Sequence, residues 1–191
     1  DTRPNRAGTG AVTELQITGR AGVPSNATAA VINLTAVDSI TGGFVTAYPC
    51  GSTRPWVSNL NYAPGGTAIA NSATVPIGTD GQVCLYTSTA THLIADINGY
   101  HPASSTFTTT TPTRLLDTRP NRASQATVTE VQITGRAGVP ADAAAVVLNL
   151  TALDSSTAGF VTAYACGSPR PDASNLNYVS GGTAIANSAT V

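Results

Sequence analysis

Along the first hundred or so residues, apolar and polar side chains alternate in short blocks, and turn formers interrupt them about every ten positions. In Val12–Thr18, Leu15 and Ile17 fall on one side and Glu14, Gln16 and Thr18 on the other, the two-residue period of a strand. Ala29–Val37 alternates most regularly, with Ala30, Ile32, Leu34 and Ala36 on one face and Val31, Asn33 and Thr35 on the other. Phe44–Cys50, Ser58–Tyr62, Thr67–Pro76, Gln82–Thr87 and Thr91–Tyr100 predict further strands, separated by loops at Gly19–Pro24, Asp38–Gly43, Gly51–Pro55 and Pro64–Gly66. Thr79-Asp80-Gly81 reads as a hairpin turn joining Thr67–Pro76 to Gln82–Thr87. Apolar residues nowhere recur at helical spacing over a useful length. Roughly seven to nine short strands at this spacing predict an all-β sandwich or small barrel. The small Ala and Thr side chains on several strands favour the sandwich, which needs close sheet-on-sheet packing.

The same pattern is written twice. DTRPNR at Asp1 returns at Asp117, ITGRAGVP at Ile17 returns at Ile133, and SNLNY at Ser58 returns at Ser174, always 116 residues on and without insertion or deletion. About three-quarters of the positions in 1–75 and 117–191 are identical, and a fixed long period implies repeated structural units. The expected organisation is two tandem β-sandwich domains: residues 1–101, a Ser/Thr/Pro-rich linker at 102–112, and residues 113–191. The first unit has no counterpart of the apolar lead-in Thr113–Leu116, and the second has no counterpart of residues 76–101. Both units are therefore expected to be incomplete at the chain ends, with strands supplied by neighbouring chains or by a longer array.

Composition narrows the class without naming a reaction. Charged residues make up only 10% of the chain, all nine basic residues are Arg, and the net charge is −1. That balance gives no electrostatic footprint for nucleic acid or an anionic membrane, and no apolar run has the length of a membrane span. Cys50 and Cys84 sit in two predicted strands non-adjacent in sequence and are expected to form a structural disulfide, which implies an oxidising, extracellular compartment. Cys166 is the copy of Cys50, and the counterpart of Cys84 is expected nine residues past Val191.

Candidate chemistry is sparse. Asp1 with Arg3, and Asp117 with Arg119, fall on one side of an extended segment and read as a structural ion pair, partly buried or fixing a turn. Asn33, Asn59, Asn61, Asn71, Asp96 and Asn98 are polar residues inside strands, where Asn and Asp are normally depleted. They could line a sugar-binding face with Trp56, Tyr48, Tyr62 or Tyr100 stacking on a ring, or serve as buried amides that satisfy the backbone. Asn59, Asn61 and Tyr62, with their copies Asn175, Asn177 and Tyr178, are the positions taken as the candidate ligand-binding set. Asp38, Asp80 and Asp96 lack the spacing of a calcium loop, and His92 and His101 read as surface or linker residues without metal-ligand spacing. No nucleophile–base pair, metalloprotease motif or phosphate loop is present, and Glu occurs only at Glu14 and Glu130. No catalytic residue, metal or cofactor is expected.

Leu115–Arg119 (LLDTR), Val12–Pro24 (VTELQITGRAGVP), Asn33–Ala36 (NLTA), Gly43–Gly51 (GFVTAYPCG), Ser58–Tyr62 and Asp96–Tyr100 (DINGY) together resemble the tandem repeats of secreted actinobacterial proteins. That resemblance implies modules that accompany cell-wall hydrolases or form arrays of their own; it carries no catalytic residues. The expected function is a non-enzymatic structural or adhesion repeat, secreted or at the cell surface, pairing with copies of itself or with further repeats of the parent chain and assembling through strand pairing. The alternative is a carbohydrate- or cell-wall-binding accessory module of a secreted hydrolase.

Overall fold

A computed structural model of the chain describes residues 1–182 and 184–191, and it is all-β. The first repeat forms seven strands: β1 Val12–Gln16, β2 Ala29–Val37, β3 Gly43–Pro49, β4 Leu60–Tyr62, β5 Ile69–Pro76, β6 Gln82–Thr87 and β7 His92–His101. They make two antiparallel sheets in the orders β1-β6-β3-β4 and β5-β2-β7. Alternation in β2 puts Ile32, Leu34 and Ala36 against Val45, Leu60, Val75, Val83 and Leu85 of the surrounding strands, a single apolar core between the sheets. The start of the chain closes one edge: Thr2 exchanges hydrogen bonds with Leu93, and Ala7 bridges to Thr91.

One expectation about a connection is corrected. Thr79–Gly81 is not a hairpin turn; it is a single 3₁₀ turn that carries the chain from β5 in one sheet to β6 in the other. Asp80 and Gly81, at φ 57° and 76°, supply the left-handed backbone this crossing needs. Cys50 and Cys84 form the expected disulfide between strands remote in sequence, and these strands are hydrogen-bonded neighbours in the sheet, since Tyr48 pairs with Cys84 in the β3–β6 ladder.

The second repeat, expected as a β-sandwich lacking its C-terminal strands, contributes four strands. Its strands are β8 Val147–Ala152, β9 Gly159–Val161, β10 Leu176–Tyr178 and β11 Ile185–Thr190, arranged as two separate two-stranded ladders, β8–β11 and β9–β10. These correspond to β2–β5 and β3–β4 of the first repeat, in the same registers. Residues 102–112 contain no strand and do not hang free: Phe107 stacks on His101 with ring centroids 4.2 Å apart, and Thr109–Pro112 line a cleft with Pro49, Ser52 and Pro76. No helix among the described residues is long and apolar enough to cross a membrane.

Candidate functional site

In the first repeat the Asn–Tyr positions singled out as a ligand face are turned into the fold. Asn59 precedes β4, and its Oδ1 accepts the Ala47 N–H at 2.8 Å while its own carbonyl accepts from Asn71 Nδ2 at 2.5 Å. Asn61 is buried, with Nδ2 donating to Ser58 Oγ at 3.2 Å. Tyr62 is buried as well, and its hydroxyl donates to the Thr89 carbonyl at 2.9 Å. These are the bonds that let polar groups sit in a sheet interior at no net loss. The second repeat reproduces part of the set: Asn175 Oδ1 accepts the Ala163 N–H at 2.8 Å, and Asn187 Nδ2 donates to the Asn175 carbonyl at 2.6 Å. Asn177 is exposed there and Tyr178 half-buried. The reason for their inward course is the β4 edge: three residues must be stitched to β3 and β5, and side-chain amides supply bonds that so short a ladder lacks.

Asn71 does more than its sequence context showed. It lies on the core face of β5 beside Ala73 and Val75, almost fully buried, and joins the two repeats. Its Nδ2 donates to Asn149 Oδ1 at 3.0 Å, and its Oδ1 accepts the Ser188 N–H at 2.9 Å. Asn149 Nδ2 in turn donates to the Ser58 carbonyl at 2.8 Å. With the Asn59 carbonyl included, both donors of the Asn71 amide and its oxygen are used, a complete account for a buried amide. Such a polar group on an otherwise apolar strand face was the available signal; that its partners lay in the other repeat was not readable.

The acid–Arg pairs fix turns at the surface. Asp1 and Arg3 form a side-chain ion pair, and Asp1 Oδ1 also accepts the Arg3 backbone N–H at 3.0 Å. Asp117 repeats the geometry with Arg119, at 2.5 Å to Nη2 and 3.1 Å to the backbone N–H, and adds Arg114 Nη1 at 3.0 Å. The Arg119 guanidinium, then its backbone N–H, hold the Asp117 carboxyl far below the ordinary aspartate range, with Arg114 adding to the effect. Both pairs are too exposed to match the partly buried alternative.

Other sites fall differently from expectation. His92 is buried, not at the surface, because it opens β7 opposite Val37. Asp96 faces solvent opposite Asn33, and Asn98 is the extra residue of a bulge in β7. Trp56 is 83% exposed and begins a row: its ring centroid is 4.7 Å from the Arg54 guanidinium carbon, which lies 4.1 Å from the Tyr86 ring. Tyr86 and Phe44 follow with centroids 6.0 Å apart. Among the described residues no three His, Cys, Asp or Glu side chains gather as a metal site. Cys166 is a free, exposed thiol. No family model, curated protein or solved structure matches the chain.

Proposed function

We propose that the chain is a non-enzymatic structural or adhesion repeat of a secreted or cell-surface protein, assembled through contacts between repeats and by strand pairing between molecules. The observation that carries this reading is the joint at Asn71, where side-chain amides and main-chain groups of two repeats meet without a gap in their hydrogen bonding. A joint of that kind gives orientation as well as adhesion, because each amide accepts only one arrangement of donors and acceptors. The disulfide is compatible with an oxidising, extracellular setting. Sedimentation velocity over a wide range of protein concentration tests the proposal. Self-association that rises with concentration is the expected result, and a strict monomer throughout would sink it.

The second reading, a cell-wall or carbohydrate-binding accessory module, is favoured by one observation. Trp56 presents its ring to solvent on a cation–π row that holds it in place, the arrangement that suits stacking on a sugar. In a peptidoglycan pull-down this reading expects saturable retention that Trp56→Ala abolishes. Asn59→Ala would act only by loosening the fold.

A further inference from the structure

Three hydrogen bonds cross between the repeats at the Asn71 joint, and every residue that makes them occurs in both repeats. The first repeat contributes the Asn71 side chain, on β5, and the Ser58 carbonyl, just before β4. The second contributes the Asn149 side chain, on β8, and the Ser188 N–H, on β11. The copies of Asn71 and Ser58 are Asn187 and Ser174, and the residues copied as Asn149 and Ser188 are Asn33 and Ser72. Each repeat therefore carries both halves of the joint, a slot face and a sheet face.

Bonds inside each repeat hold these halves in the same arrangement. Asn71 Nδ2 donates to the Asn59 carbonyl at 2.5 Å, and Asn187 Nδ2 to the Asn175 carbonyl at 2.6 Å. Asn149 Nδ2 reaches Thr151 Oγ1 at 3.3 Å, and Asn33 Nδ2 reaches Thr35 Oγ1 at 3.4 Å. Asn33 stands opposite Ser72 as Asn149 stands opposite Ser188, so the Ser72 N–H lies on the outer edge of β5 as the Ser188 N–H does on β11. Ser174 and Asn187 are exposed, and Asn33 and Ser72 are half-buried. The joint is also one-sided. Among the described residues no hydrogen bond links Asn187 to Asn33 or Ser72, or Asn33 to Ser174, the contacts a twofold arrangement would add. A contact between unlike faces does not close on itself in a pair; it continues head to tail.

We propose that the same joint forms between molecules, the first repeat of a second copy docking its sheet face on the slot face of the second repeat. In that contact Asn187 Nδ2 donates to Asn33 Oδ1 of the second copy, and Asn187 Oδ1 accepts from the Ser72 N–H of the second copy. Asn33 Nδ2 of the second copy completes the set by donating to the Ser174 carbonyl. This deepens the assembly reading above and rests on it, naming the two faces and the polarity. Because the intramolecular bonds already fix the amides, little side-chain freedom is lost on docking. Each amide accepts one order of donors and acceptors, which sets the angle between successive repeats.

The test is complementation, read by sedimentation velocity on the 191-residue protein. The unaltered chain should grow past the dimer as concentration rises. Asn187→Ala cripples the slot face and Asn33→Ala the sheet face, each removing two of the three bonds, so each variant alone should associate at least about tenfold more weakly. Neither residue takes part in the joint within the chain, so both variants should keep the far-UV circular dichroism of the unaltered protein. Asn187→Ser and Asn33→Thr take their place where either does not. An equimolar mixture of the two variants retains one intact slot face and one intact sheet face, and it should form a dimer that grows no further. A mixture that binds no more tightly than its components would overturn the head-to-tail joint. If both variants assemble as strongly as the unaltered chain, these faces are wrong and the assembly reading survives through another surface. An unaltered chain that is monomeric at every concentration would sink both.

Discussion

VTELQ at Val12–Gln16 is a strand, and VTEVQ at Val128–Gln132 is not. One methylene separates the two segments, so intrinsic propensity explains none of the difference. The first has β6 beside it, and the second pairs with no strand among the described residues. By contrast the Gly-Arg-Ala-Gly-Val loop closes identically in both repeats, Gly19 N–H on Val23 and Gly135 N–H on Val139, each at 2.8 Å. The lesson is one of range. Bonds that close within a few residues survive in either repeat, and ladders survive only where both strands are present. A strand's main-chain groups and its apolar face are satisfied by a distant segment or not at all.

Removing the disulfide is the largest test of this contrast. Cys50→Ser with Cys84→Ser opens a loop spanning 34 residues, for which the chain-entropy account gives roughly 3–4 kcal/mol. That loss should appear as a lower unfolding midpoint for the first repeat in calorimetry, with hydrogen exchange in β8 and β11 unchanged. Equal loosening of both repeats would mean that the second depends wholly on the first.

A matched pair of core substitutions sharpens the comparison residue by residue. Leu34→Ala, at a site 1% exposed, should cost about 3 kcal/mol by loss of burial and opening of a cavity. Leu150→Ala, the same position in a half-open environment, should cost less than about 1 kcal/mol because little enclosed volume is created. Urea denaturation of the two variants reads both values, and similar costs would contradict the half-open second repeat.

The smallest effect concerns Asp117. Its folded carboxyl is held down by Arg119, so it binds its proton only below the ordinary value of about 3.9. The sign follows: the stabilisation is fully present above that value and disappears as pH falls through the lower folded value. Because the group is solvent-exposed, salt should screen much of it. A carboxyl-carbon NMR titration should place Asp117 below the ordinary range, and Arg119→Gln should return it upward. An unchanged midpoint in that variant would remove Arg119 as the cause.

Much of the first repeat was legible from alternation. β2, β6 and β7 fall where the apolar period placed them, and the pairing of Cys50 with Cys84 was read from their strands. The path of the chain at Thr79–Gly81 was not, because the same turn residues serve a hairpin and a crossing between sheets. Asn59, Asn61 and Tyr62 were marked as unusual for strands, which they are. Whether such residues face a ligand or the interior depends on which way β4 is rolled, and that is set by its neighbours. The burial of His92 and the reach of Asn71 into the second repeat have the same origin.

By itself the sequence determined the period of 116 residues, the strand-forming character of each block and the turns between them, since each depends on residues close together along the chain. Tertiary structure decided which blocks became strands, where the amides point and where the repeats touch. Those outcomes require a partner brought from tens of residues away, which no local pattern of residues encodes.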